Sequence, residues 1–255
     1  MQKPGDATGP FPAGNAEFPL GENARKNPGA PSISPKGWYS RGYLPHRDEI
    51  GLLQSITFRL ADSLPQSKLR ELDEELAALP DAKRDIQRRK EVEKWLDAGK
   101  GCCALRHPAV AEIVQNALFH ADGQRYRLLA WCIMPNHVHV LIQPLISLPR
   151  IVQAWKGFTG NWAKSHNAAL RLGIPGQHFW QREMWDRYIR DATHLGNVIK
   201  YIHENPVHAR LCRNPEDWPW SRASIAEKKL GVPGFPSPGN AEFPLGENAV
   251  TLSSG

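Results

Sequence analysis

The chain has 255 residues, 41% hydrophobic and 23% charged, enough for one sizeable folded core and too apolar for a wholly disordered polypeptide. Its four cysteines, Cys102, Cys103, Cys132 and Cys212, contain no Cys-x-x-Cys spacing, and no apolar run nears the roughly 18 residues that span a bilayer, which argues against a disulfide scaffold, a zinc ribbon or a membrane protein. The net charge is +6, and Arg150 to Leu230, with 13 Lys/Arg against 7 Asp/Glu, carries a surplus equal to that of the whole chain; a basic region of this kind suits a polyanionic partner, most simply nucleic acid.

In chain order, residues 1–36 are rich in Pro and Gly, without helical or strand periodicity, and residues 231–255 repeat that composition. Both are expected to be disordered tails, because they lack the apolar surface that offsets the entropy of ordering. They flank a domain over residues 37–230. The tails share an identical stretch, GNAEFPLGENA, at Gly14–Ala24 and Gly239–Ala249; two copies separated by a whole domain are not a solenoid.

Inside the domain, Ser55–Ala61 alternates as a strand does, and Ser67–Gly99 reads as a long charged helical stretch interrupted at Pro80. Pro108–His120 is an amphipathic helix with proline in its first turn. Gln124–Met134 and His137–Pro144 are two antiparallel strands joined by a Pro135-Asn136 turn. A helix over 149–165 follows, then an extended Phe179–Asp191, then a helix from Ala192 to Glu204 that Pro206 stops. The pattern predicts an α+β class: a compact sandwich with a layer of helices against an antiparallel sheet.

The strand HVHVLIQP places His137 and His139 on one face, since residues i and i+2 of a strand point the same way, while Val138 and Val140 point oppositely. Two adjacent nitrogen donors on a rigid strand suit a metal; two hydrogen-bonded histidines on a polar sheet face are the competing reading, and a third ligand decides between them. In YIHENPV, Tyr201 and Asn205 lie four residues apart and share a helix face, with His203 elsewhere. A hydroxyl and an amide oxygen set against the histidine strand supply a nucleophile and a third ligand. The alternative is a core tyrosine and a helix-capping asparagine.

Three motifs in this order, MPNHVHVLI, FWQREMWDRYIRD and YIHENPV, resemble the REP-associated tyrosine transposases, a subgroup of the single-tyrosine insertion-sequence transposases. The resemblance covers about residues 37–224. It implies the ferredoxin-like or RRM-like core of the HUH endonucleases, with His137, His139 and Asn205 holding Mg²⁺ or Mn²⁺ and Tyr201 as nucleophile. It also implies a single-stranded DNA substrate beside hairpins of repetitive extragenic palindromes, cleaved through a 5′-phosphotyrosine intermediate. The expected protein is cytoplasmic and nucleoid-associated, a monomer or homodimer, with no membrane partner. Selection for a short peptide motif is one reading of the duplicated tail segment; the resemblance implies another, that it is translated flanking repeats, since genes of this subgroup tend to lie among the palindromes they act on.

Lys156, Lys164, Arg182 and Arg187, interleaved with Trp155, Trp162, Trp180 and Trp185, are candidates for contacting DNA, with the tryptophans either stacking on bases or filling the core. Two other function classes fit part of the pattern. A histidine-using nucleotide hydrolase needs a further ligand or nucleophilic histidine, which the strand after His139 does not supply. A DNA hairpin-binding module without catalysis needs only the basic face.

Overall fold

The computed structural model describes residue 35, residues 37–40 and residues 45–223. Both copies of the repeat, and the tails apart from Pro35, lie outside the described residues.

Two short strands, β1 (Gly37–Ser40) and β2 (Pro45–Asp48), pair antiparallel. Four others form the main sheet: β3 (Gln54–Arg59), β4 (Tyr126–Ile133), β5 (His137–Pro144) and β6 (Trp185–Tyr188), all antiparallel, in the order β4-β5-β3-β6. The helices are α1 (Gln66–Glu75), α2 (Asp81–Asp97), α3 (Pro108–His120), α4 (Leu148–Ser165), the single turn α5 (Asn167–Leu170) and α6 (Ala192–His208). Pro80 separates α1 from α2 as its restricted φ and missing N–H require, and Pro108 opens α3 at a position where no N–H is needed.

The class is α+β, but helices cover both faces of the sheet rather than one. Helix α3 packs on one face, where the buried Tyr126 hydroxyl donates to the Leu118 carbonyl at 2.7 Å, and α4 joins it through the Trp155 indole N–H, which donates to the Tyr126 oxygen at 3.0 Å. Helix α6 lies on the other face. Its Leu195, Val198, Ile199 and Ile202 pack against Ala130, Cys132, Met134 and Leu141. With both faces buried, β5 carries valine on one side and histidine on the other with almost no exposure on either.

A bulge in β4 keeps this arrangement in register. Leu129 and Ala130 together oppose Leu141, so the residues facing α3 change from Tyr126 and Leu128 to Trp131 and Ile133. The open edge of β4 is covered by the chain beyond α6: the Ile133 N–H donates to the Trp220 carbonyl at 2.8 Å and the Trp218 indole donates to the Ile133 carbonyl at 2.9 Å. At the opposite edge, Asp186 of β6 accepts from the Arg47 N–H at 3.1 Å and pairs with the His46 imidazole.

Two expectations change. Pro206 does not stop α6, which continues to His208. In the last turn, proline removes a single intrahelical bond, and the Ala209 N–H donates to the Asn205 carbonyl at 3.0 Å just beyond it. Extended backbone over Phe179–Asp191 shrinks to β6 and one bridge, between Leu60 and Trp180, because the intervening residues cross from the rim of α4 to the sheet edge. Among the described residues, no helix is long and apolar enough to cross a membrane.

Candidate active site

The site is built where β5 faces α6. On α6, Asp191 caps the first turn by accepting from the His194 N–H at 2.7 Å. From there, Val198, Tyr201, Ile202 and Asn205 recur at the spacing of one helix face. The apolar members of that stripe press α6 onto the sheet, and the same rotation brings Tyr201 and Asn205 over His139. The Tyr201 ring meets the His139 ring edge-to-face at 5.4 Å, and the Asn205 amide lies 3.2 Å from His139 Nε2.

His137 and His139 converge. Their Nε2 atoms are 3.0 Å apart, and both rings are buried. The other nitrogen of each ring is held from behind: His137 Nδ1 lies 2.8 Å from Asn136 Oδ1, and His139 Nδ1 lies 2.8 Å from Thr57 Oγ1. An amide oxygen can only accept, so the His137 proton sits on Nδ1 and its Nε2 presents a lone pair to the site. A Thr57 hydroxyl that accepts from His139 does the same for the second ring.

Both imidazoles are neutral. Burial holds His137 well below the usual histidine range, helped by His139 and the Arg59 guanidinium, and burial lowers His139 to about 3. Neutral rings with bare Nε2 atoms are what a cation needs from histidine.

The Asn205 side chain lies beside this pair and could serve as a third donor. It is buried, and its Oδ1 has no hydrogen-bond partner among the described residues. A half-turn of the amide exchanges nitrogen for oxygen and points Oδ1 at His139 Nε2, which itself lies 3.0 Å from His137 Nε2. Three lone-pair donors then meet at one point, which repels in the absence of a positive charge and fits a divalent cation. Ligands about 2.1 Å from a metal and at right angles are separated by roughly 3 Å, close to the observed nitrogen spacing. Among the described residues, no group of three His, Cys, Asp or Glu could hold a metal.

Tyr201 is half-buried, with Glu93 and Asp97 of α2 and the Asn205 side chain among its electrostatic neighbours. Burial first, and then the carboxylates of Glu93 and Asp97, push its phenol well above the ordinary range. The local sequence did not reveal these carboxylates. Glu93 and Asp97 sit four apart in a helix crowded with charge, and only the packing of α2 beside α6 sets them apart. Asn136 was legible only as a turn residue; in the fold its Nδ2 also donates to the Leu96 and Lys100 carbonyls at 3.1 and 3.0 Å, tying the end of α2 to the histidine strand. His203 points away from the site, as its spacing predicts, with Arg222 and Glu216 among its neighbours.

The four candidate DNA contacts do not form one cluster with the tryptophans. Trp155 and Trp180 are core residues, packed against Phe58 with ring centroids 6.1 and 4.9 Å away. Trp162 stacks on His166, and Trp185 lies under the Arg88 guanidinium. A continuous base-stacking surface from these four rings is therefore not present. Lys156 reaches the Arg182 carbonyl at 3.1 Å, while the Lys164, Arg182 and Arg187 side chains are exposed. Arg187 neighbours Arg89 and Arg190, and this cationic group holds its guanidinium below the usual arginine value together with burial, the larger cause.

Comparison with known proteins agrees with the histidine and tyrosine motifs. Residues 107–205 match the family model described as "Transposase IS200 like". Over 106 residues, 38% of this chain, the sequence is 32% identical to a Haemophilus influenzae protein named "Putative REP-associated tyrosine transposase". Over 116 residues, 43% of the chain, it is 23% identical to the "REP-associated tyrosine transposase" of Escherichia coli. The matched segments span 58% and 62% of those relatives. A solved structure of a REP-associated tyrosine transposase bound to a REP hairpin is similar at 15% identity and a TM-score of 0.44, covering 80% of this chain and 94% of that one. The segment matched by the family model runs from the start of α3 to Asn205 and contains both histidines and the tyrosine.

Proposed function

We propose that the protein is a DNA strand transferase that cleaves single-stranded DNA beside palindromic hairpins, with Tyr201 as nucleophile and His137, His139 and Asn205 as ligands of Mg²⁺ or Mn²⁺. The observation that carries this reading is the convergence of two neutral imidazoles, an orphaned amide oxygen and a tyrosine on one buried patch between β5 and α6. The names of the relatives point to repetitive extragenic palindromes as the substrate class.

A phosphodiester resists attack because its anionic oxygens repel nucleophiles. Bound at the histidine pair, a divalent ion supplies electrophilic stabilisation of the phosphate charge. The remaining work falls to the protein. Asn136 and Thr57 fix the imidazoles in their tautomers, and α6 sets the tyrosine oxygen beside them. Attack by that oxygen forms a bond to phosphorus as the 3′ oxygen departs, leaving DNA joined through a 5′-phosphotyrosine. The bond energy is retained, so a 3′ hydroxyl can later reverse the step and join a new strand. Exposed Lys164, Arg182 and Arg187, with Lys156 at their margin, supply charge for the backbone.

Incubating the protein with labelled hairpin DNA carrying a single-stranded foot, in the presence of Mn²⁺, is expected to leave label on the protein after denaturation. A blunt duplex of the same sequence is expected to give none. Retained binding with no label on the protein for either DNA would identify a hairpin-binding module without catalysis.

A further inference from the structure

Strand β3 precedes the segment matched by the family model, yet it forms the floor of the site beside β5. Its register sets Thr57 opposite His139 and Arg59 opposite His137, so all four side chains leave the same face of the sheet, with the Cβ atoms of each pair about 5 Å apart. The two faces of β3 differ. Ile56 and Phe58 point the other way and are buried, Phe58 against Trp155 of α4, whereas Ser55, Thr57 and Arg59 on the histidine side are half-buried. Thr57 orients His139 through its hydroxyl. Arg59 has no comparable partner: among the described residues its guanidinium makes one hydrogen bond, from Nη1 to the Ser63 hydroxyl at a long 3.4 Å, and no ion pair with a carboxylate. The other guanidinium on this side, Arg88 over the Trp185 ring, is held by Asp73 at 2.6 Å. Half-burying a guanidinium without a carboxylate costs free energy that a bound anion recovers.

We propose that the Arg59 guanidinium binds a non-bridging oxygen of the phosphate that Tyr201 attacks. The proposal rests on the reading of Tyr201 as nucleophile beside the histidine pair, and extends it to a residue outside the matched segment. A guanidinium is always charged and presents five N–H donors in a planar fork, so it holds a phosphate oxygen in a fixed direction. The Ser63 hydroxyl occupies one of those donors, and the others are left for an anion. Negative charge on the non-bridging oxygens is what repels the attacking oxygen. A donor rooted on a strand, one residue across from His137, offsets that charge without rearrangement. Arg59 takes no part in bond making or proton transfer; it acts through its charge and its donors.

The test uses the full chain and hairpin DNA whose single-stranded foot carries either a phosphodiester or a neutral methylphosphonate at the step that the unaltered protein cleaves with Mn²⁺. Affinity is measured in EDTA, so that no metal contributes and no strand is cut. The unaltered protein is expected to bind the charged foot about 10-fold more tightly, the range of a hydrogen bond to a charged group. Arg59→Gln is expected to bind both feet alike, at the affinity of the unaltered protein for the neutral one, whereas a merely structural residue would weaken both equally. With Mn²⁺, Arg59→Gln is expected to form the covalent adduct about 100-fold more slowly. Arg59→Lys keeps a charge and decides the matter if the glutamine variant does not fold: a reduced preference for the charged foot supports the contact, and an undiminished one overturns it. An undiminished preference in Arg59→Gln, an equal loss for both feet, or no preference in the unaltered protein also overturns it. Failure of the unaltered protein to form an adduct removes the cleavage reading and the proposal with it, whereas a normal adduct rate in Arg59→Gln removes Arg59 alone.

Discussion

Tyr201→Phe is expected to abolish cleavage, with a loss on the order of 10⁶-fold that takes the reaction below detection, as when other enzymes lose their nucleophile. The substitution removes one oxygen. The ring keeps its edge-to-face contact with His139 and its place against the core of Ala130, Cys132 and Ile202, so the fold is expected to survive. Hairpin affinity is expected to stay within a few-fold, measured by gel shift with the same DNA. A large fall in affinity together with lost cleavage would mean that Tyr201 binds DNA rather than attacks it.

The second large effect belongs to the histidine pair. His137→Ala and His139→Ala are each expected to reduce metal-dependent cleavage about 10³-fold, because either one removes a fixed donor from the ion that stabilises the phosphate charge. Asn205→Ala is expected to cost roughly 10-fold to 100-fold, since water can take the place of one amide oxygen. Activity alone does not distinguish metal loss from a damaged site, so the check is thermal. Mn²⁺ is expected to raise the melting temperature of the unaltered protein and to leave His139→Ala unmoved, as binding to the folded state alone requires. Cleavage by His139→Ala at low metal concentration, at the unaltered rate, would remove the site.

The parts of this account that were legible in the sequence are those set by local pattern. Strand β5 begins at His137 and ends at Pro144 as its alternation indicates, and α3 spans Pro108–His120 as its opening proline indicates. Tyr201 and Asn205 share a face because the helical period carries both, whatever surrounds them. The extent of α6 was not legible, because a proline in the last turn costs one hydrogen bond while packing of Ile202 and Asn205 holds the helix together. Nor was the second helical layer: the burial of both faces of β5 depends on α3, α4 and α6, contributed by distant segments. The carboxylates of α2 were hidden for the same reason, since Glu93 and Tyr201 are 108 positions apart and nothing local distinguishes Glu93 from Glu91. Trp155 and Trp180, interleaved with cations along the chain, became core residues once helix α4 turned them toward Phe58.

The most direct test of the central claim is to locate the DNA on the protein. After reaction with hairpin DNA and Mn²⁺, nuclease trimming and proteolysis, mass spectrometry is expected to find the nucleotide on the peptide that contains Tyr201, with fragmentation placing a 5′-phosphate ester on its phenolic oxygen. A nucleotide on any other residue, or cleaved DNA bearing a free 5′ phosphate with no protein attached at any time, would contradict the account.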